Sequence, residues 1–283
     1  MLEGFFELNL LKQSNQNRTD DLQISILASG SSGNAIYVES DTTKLLVDCG
    51  LTGKKTDELL KQIDRKAEDL DAILVSHEHS DHIKGVGIMA RKYDLDIYAN
   101  EKTWQAMTPK LGKLKTEQKY LFGTEESKTI GNIDILSFGV SHDAIDPQFY
   151  MFQKNNKQFV ILTDTGYVND RMRGMLRNAD AYLMESNHDV SMLRMGKYPW
   201  SLKQRILSDK GHLSNEDGAL ALTDMIGDKT KRIYLGHLSK ENNMKAIAHE
   251  TVKEVLIRKD MGVDDQFYLL DTDPDEAQSI FRL

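Results

Sequence analysis

Four metal-binding side chains stand within six residues in Ser76-His-Glu-His-Ser-Asp-His82, directly after the apolar run Asp71-Ala-Ile-Leu-Val75. That segment constrains the fold more than any other. A buried strand has to end where His77, His79, Asp81 and His82 converge in one turn. Imidazole nitrogens and a carboxylate suit zinc, manganese or iron, and no thiolate lies close by in the sequence. The His-x-His spacing brings two imidazoles onto one ion, while Asp81 and His82 at the end of the turn reach toward a second. A solvated loop has no physical reason to concentrate three histidines in this way.

The remaining composition bounds the class of protein rather than its chemistry. The chain has 283 residues, 40% apolar and 28% charged, as in an ordinary soluble globular protein. No apolar stretch approaches membrane-spanning length, so no membrane partner is expected. The N-terminal segment has no basic n-region and carries Glu3 and Glu7, which argues against a signal peptide. Residues 1–21 read as a flexible extension and residues 22–283 as a single domain. The lone Cys49 excludes an internal disulfide framework and is consistent with a cytoplasmic enzyme. A net charge of −8 argues against nucleic-acid binding over the whole surface. One segment departs from that balance. Arg194, Lys197, Lys203, Arg205 and Lys210 face only Asp189 and Asp209 there, with Tyr198 and Trp200 interleaved. It reads either as a solvated loop and helix face or as a substrate grip through Lys203 and Arg205.

From about residue 23 onward, strand and helix signals alternate without a linker. Strands are expected at 23–27, 35–38, 44–47, 73–75, 97–99, 130–138, 149–152, 159–162, 181–184, 233–235 and 267–270. Helices are expected at 56–63, 83–93, from the Ser214 cap to 226, and at 243–258. The density of neighbouring strands in the first half suggests two sheets packed on each other with helices outside.

A site for two ions needs ligands from further strand ends. His142 follows 133–141, Asp164 follows 159–163 and His237 follows 233–236. The order His-x-His-x-Asp-His, His, Asp, His resembles the metallo-β-lactamase superfamily over about residues 22–271. That resemblance implies an α/β fold, a four-layer αββα sandwich of two mixed β-sheets flanked by helices. It also implies two divalent transition-metal ions. His77, His79 and His142 would hold one, Asp81, His82 and His237 the other, with Asp164 bridging. A carboxylate at Asp164, where the zinc β-lactamases use cysteine, points away from antibiotic hydrolysis.

Three further segments, Ala28-Ser-Gly-Ser-Ser-Gly-Asn34, Met184-Glu-Ser-Asn-His-Asp189 and Leu235-Gly-His-Leu-Ser-Lys-Glu-Asn-Asn243, are similar to the WalJ/YycJ family, and Gly211-His-Leu-Ser-Asn215 fits the same branch. The resemblance implies a DNA exonuclease of 5′–3′ polarity, with RNA as an open second substrate. It also implies a functional link to a cell-wall two-component system. The stretch between Asp164 and His237 is too short for the inserted cap domain of the β-CASP nucleases, so the core and its loops must grip substrate. In such a site two ions about 3.5–4 Å apart activate a shared hydroxide and steady the attacking and leaving oxygens. Asp81 is the candidate to orient that hydroxide. His212, just before the Ser214 helix cap, is the candidate to protonate the leaving oxygen or to bind the phosphate, with a supporting or capping role as its alternative. His188 either touches substrate or buttresses a ligand. The turn ending in Asn34 either presents groups to a phosphate or is simply a tight hairpin. The ligand set also suits a hydrolase of lactones, thioesters or cyclic phosphodiesters, which stands as the alternative function.

Overall fold

The computed structural model describes residues 21–283, so the extension expected over 1–21 lies, apart from Asp21, outside the described residues. Along the chain the strands are β1 (Gln23–Ala28), β2 (Ala35–Glu39), β3 (Lys44–Val47), β4 (Ala72–Leu74), β5 (Asp96–Ala99), β6 (Lys119–Leu121) and β7 (Ser127–Ile130). There follow β8 (Ile133–Gly139), β9 (Gln148–Lys154), β10 (Lys157–Leu162), β11 (Ala181–Glu185), β12 (Arg232–Gly236), β13 (Tyr268–Asp271) and β14 (Phe281–Arg282). The helices are α1 (Gly53–Gln62), α2 (Ser80–Ile83), α3 (Val86–Tyr93), α4 (Glu101–Leu111), α5 (Asp170–Leu176), α6 (Val190–Met195), α7 (Trp200–Ile206), α8 (Asn215–Met225) and α9 (Lys245–Arg258).

Two seven-stranded sheets result, ordered β14-β1-β2-β3-β4-β5-β6 and β13-β12-β11-β10-β9-β8-β7. Both are mixed. In the first, β14 to β3 pair antiparallel and β3 to β6 parallel. In the second, β10 to β13 run parallel and β7 to β10 antiparallel.

Side-chain alternation explains the layering. On the first sheet Ile24, Ile26, Ile36, Val38, Leu45, Val47, Ala72 and Leu74 join the core shared with the second sheet. Their intervening neighbours, including Tyr37, Leu46, Ile73 and Val75, face α1, α3 and α4 through Leu59, Leu60, Val86, Met89 and Met107. A strand buried on both faces is largely apolar, as these are, with Ser25 and Glu39 as buried polar exceptions. The sheets meet where the Phe281 ring stacks at 5.0 Å on Tyr234 and packs edge-on at 6.3 Å against Phe159. Helices α5, α8 and α9 cover the far face of the second sheet with Met172, Leu222, Met225 and Val252. The expected sandwich of two mixed sheets flanked by helices is therefore the observed fold.

Two expected elements divide. The strand expected at 130–138 is a hairpin, because Gly131 takes φ +59° and turns β7 into β8 with Ile130 opposite Ile133. The helix expected at 83–93 is α2 and α3, separated at Gly85. A Cβ on Gly85 would lie 2.4 Å from the Leu51 carbonyl oxygen, so this close approach requires glycine. None of the described helices is long and apolar enough to cross a membrane.

Candidate metal centre

The seven expected ligands come together at one edge of the two sheets. Each follows the C-terminal end of a strand that has just run through the core: β4 for the 77–82 turn, β8 for His142, β10 for Asp164 and β12 for His237. His77, His79 and His142 offer ligand atoms within 4.8 Å of one another, and so do Asp81, His82, Asp164 and His237. The Asp164 carboxylate lies 3.4 Å from His82 Nε2, 3.3 Å from His237 Nε2 and 3.9 Å from His142 Nε2. It therefore touches both groups, the position expected of a carboxylate shared between them.

Four of the five imidazoles, all but His79, are oriented by their other nitrogen. His82 Nδ1 donates to Asp48 Oδ2 at 2.8 Å, His237 Nδ1 to Glu185 Oε1 at 3.2 Å and His142 Nδ1 to the Gly211 carbonyl at 3.1 Å. His77 Nδ1 lies 2.9 Å from Ser76 Oγ, which in turn donates to Asp48 Oδ2 at 2.7 Å. These contacts fix the tautomers with lone pairs on Nε2, the form a metal takes. The consequence is visible in the unpartnered atoms. His77 Nε2, His237 Nε2 and Asp164 Oδ2 are buried with no hydrogen-bond partner among the described residues. Three orphaned buried acceptors facing one space would be costly unless a cation joined them. The donor set of nitrogen and oxygen fits a divalent transition metal. A third grouping, Asp164, Glu185, His212 and His237, has a similar spread. It is a hydrogen-bond network instead, because both imidazole Nδ1 atoms point at Glu185.

The electrostatics agree. Burial works against charge on Asp164, yet His237 and His82 hold its carboxyl well below the ordinary range. Asp81 also stays ionised against its burial, held by His82 and by His237, whose Nε2 lies 3.6 Å from its carboxylate. Burial, together with the neighbouring His82, His142 and His79, pushes His77 down and keeps it neutral, whereas the carboxylates around them push His82 and His237 up. Three site residues, Asp48, Asp164 and His237, adopt φ of 58°, 49° and 55°. Non-glycine residues in this left-handed region cost about 1–3 kcal/mol each and persist where surrounding structure holds them, typically at functional sites.

Sequence reading missed Asp48 and Glu185, both fully buried. Asp48 Oδ1 also accepts from the Ser76 amide at 2.8 Å, tying the end of β3 to the metal turn. Glu185 accepts from four donors across three loops. The signal available was an acid placed directly after a wholly apolar strand, in Leu46-Val-Asp-Cys-Gly50 and Met184-Glu-Ser-Asn-His188. Neighbouring Cys49 is no ligand. Burial pushes its thiol up to about 12, and its Sγ sits 3.3 Å from Thr56 Oγ1. Beside it, Gly50 packs so closely that a Cβ would lie 1.5 Å from the Asp81 carbonyl oxygen. Gly50→Ala is expected to destabilise the fold by about 3 kcal/mol and to loosen Asp81. Thermal unfolding and metal titration of the variant check this; an unchanged melting temperature would show that the turn yields freely.

The remaining expected residues separate. His212 lines a cleft of about 180 Å³ with Asp143, Tyr198, Leu202 and Arg205. Its Nδ1 donates to Glu185 Oε1 at 2.7 Å, leaving Nε2 as the ring's other polar atom. Arg205 pairs with Asp143, whose carboxylate lies 3.3 Å from His142 Nε2, so this arginine does stand at the rim of the centre. Two expectations for substrate contact are corrected, those for Lys203 and Asn34, and His188 lies in the interior. Lys203 is buried and its ammonium donates to the Arg194 and Gly196 carbonyls at 2.7 and 2.6 Å, closing α6 onto α7. Asn34 is buried and its amide bonds Gly30 on both sides, making the turn a tight one that also contacts His82 Nε2 at 3.2 Å. His188 is buried, pushed down to about 4 by that burial, and its carbonyl accepts from the Asn215 amide at 3.0 Å. Its Nδ1 lies 3.3 Å from Asn187 Oδ1, and its Nε2 is buried with no hydrogen-bond partner among the described residues.

Residues 43–238 match the family model described as the beta-lactamase superfamily domain. The chain is 63% identical over 261 residues to a Streptococcus pneumoniae protein named exodeoxyribonuclease WalJ, spanning 92% of this chain and 97% of that one. The chain belongs to the beta-lactamase superfamily. Within it, a Bacillus anthracis protein named exodeoxyribonuclease YycJ is 57% identical over 253 residues, 89% of this chain and 96% of the relative. These identities place the chain in the WalJ/YycJ family. A solved structure of the metallo-β-lactamase fold protein YhfI from Bacillus subtilis superposes with a TM-score of 0.69. It covers 92% of this chain and 99% of its own at 18% identity, a likeness of fold.

Proposed function

We propose that this superfamily member is a cytoplasmic, metal-dependent exodeoxyribonuclease, with residues 22–283 as its one domain. It would remove nucleotides from DNA ends in the 5′–3′ direction, with a functional link to a cell-wall two-component system. The observation that carries this reading is the 63% identity, over nearly its whole length, to a protein named as an exodeoxyribonuclease. The chemistry of the centre is consistent with it. His77, His79 and His142 would hold one zinc or manganese ion, Asp81, His82 and His237 a second, with Asp164 between them. Such ions, when bound, supply Lewis acidity toward phosphoryl oxygens and lower the pKa of bound water.

The protein's own groups then have separable tasks. Asp81, held ionised and partly exposed, orients the attacking water by accepting its hydrogen bond. His212, anchored through Nδ1 on Glu185, presents Nε2 to the leaving 3′ oxygen and delivers a proton there. Arg205 offers its half-exposed guanidinium to a neighbouring phosphate at the rim. Tyr198, in the same cleft, offers a ring for a terminal base.

The test is metal-stripped protein refilled separately with manganese and zinc, acting on end-labelled duplex DNA, single-stranded DNA and RNA. An Asp81→Ala, His82→Ala variant runs alongside. Metal-dependent loss of 5′ labels from DNA, absent in the variant, is the expected result. Turnover of a lactone, thioester or cyclic phosphodiester with no polymer cut would move the protein to the small-molecule class. Deleting the gene should alter transcription controlled by the two-component system, and unchanged transcription would remove that link.

A further inference from the structure

A second cleft, of about 210 Å³, adjoins the first. Ser31 and Ser239 line both, so the two form one continuous depression across the edge where the ligands converge. Nothing in the metal chemistry above uses this space. Its floor is apolar, made by Leu238, Met244 and Pro274, and Met244 is 58% exposed there. Its rim is polar. Ser31 and Ser32 are exposed at the tip of the turn closed by the Gly33 amide on the Gly30 carbonyl at 3.1 Å.

The charges in this cleft are unequal in availability. Lys245 pairs with Asp273, and Asp275 lies 3.7 Å from Lys55. Lys240 is exposed and makes no ion pair among the described residues. The cleft also receives the start of the 14-residue helix α9, whose N-cap Met244 has no side-chain hydrogen bond to its first turn. Uncapped N–H groups there add positive potential beside Lys240. An apolar floor with an anion-seeking rim matches a nucleotide: a flat ring or sugar below and a phosphate above.

We infer that this second cleft is a nucleotide subsite, in which Leu238, Met244 and Pro274 take the base or sugar of a nucleotide adjoining the scissile bond while Lys240 and the Ser31–Ser32 rim take its phosphate. The inference rests on the exodeoxyribonuclease reading and extends it. The strand would lie across both clefts, with Ser31 and Ser239 at the crossing. This subsite selects a polymer over a mononucleotide ester, because only a strand fills both clefts at once.

The experiment uses the full metal-loaded chain with Lys240→Ala and Met244→Glu as separate variants. Binding of a fluorescent single strand capped with phosphorothioates is followed by anisotropy over a range of salt. For Lys240→Ala we expect about tenfold weaker binding and a salt slope shallower by about 0.7, the signature of one lost phosphate contact on a single strand. Met244→Glu should weaken binding about as much by placing a carboxylate in the floor. In steady-state cleavage of an unmodified strand, both losses should appear in KM rather than kcat. Variants indistinguishable from the parent in affinity, salt slope and KM overturn the subsite alone. A parent that degrades no DNA removes the nuclease reading and the subsite with it.

Discussion

Asp164→Ala is expected to lower DNA hydrolysis by about a thousandfold or more and to strip the protein of most of its metal. Its carboxylate lies within 4 Å of the Nε2 atoms of ligands from both clusters, through His82, His237 and His142. Removing it takes away an anion from a space crowded with imidazoles, and nothing nearby replaces it at the same position. A thousandfold corresponds to about 4 kcal/mol of lost transition-state stabilisation, within reach of one charged group in a water-poor site. Asp164→Asn separates charge from shape. The amide keeps the volume but offers a single acceptor oxygen, so metal content should fall with little loss of fold. Elemental analysis of the purified variants, beside cleavage of a labelled strand, reads both effects. Metal content and rate within threefold of the parent would show that Asp164 is not shared between ions.

The same geometry explains what was legible in the sequence. Most of the ligands stand at the end of an apolar run, because a strand through a two-sided core stays largely apolar until it reaches the edge where water and metal begin; His142 follows the alternating strand β8 instead. That regularity made His77, His79, Asp81, His82, His142, Asp164 and His237 readable, and with them the two-sheet fold. Asp48 and Glu185 obey the same rule. A lone acid after a strand has many roles, however, and nothing local distinguishes a ligand's anchor from a cap. Lys203 shows the opposite failure. A lysine among basic and aromatic residues reads as solvent-facing, and only the return of α7 onto α6 shows that two carbonyls claim its ammonium. The 130–138 strand failed for a local reason, since Gly131-Asn132 is a turn signal inside an apolar pattern.

Glu185→Ala should be among the most damaging changes outside the ligands themselves. With its side chain fully buried, Oε1 accepts from His212 Nδ1 at 2.7 Å and His237 Nδ1 at 3.2 Å. Oε2 accepts from the Thr165 amide at 2.9 Å and the Leu213 amide at 3.3 Å. One carboxylate thus joins the loops that carry Asp164, His212 and His237. Breaking a buried, charge-assisted network by removing its acceptor typically costs about 3–5 kcal/mol, and losing a ligand's hydrogen-bond anchor weakens metal binding about 10–100-fold. Glu185→Gln should recover only part of this, because its NH₂ end would face two donors on one side. The pH dependence has a defined sign. Burial alone would raise the Glu185 carboxyl, but His212 and then His237 hold it down to about 2, against 4.5 for an unperturbed glutamate. Its contribution is therefore fully present above about 4.5 and fades as pH falls toward about 2, so parent and variant should converge in stability across that window. Chemical denaturation of both proteins at neutral and acid pH, with metal affinity by competition with a chelator, measures each part. A variant within about 1 kcal/mol of the parent at neutral pH would mean that neighbouring loops hold His237 without this carboxylate.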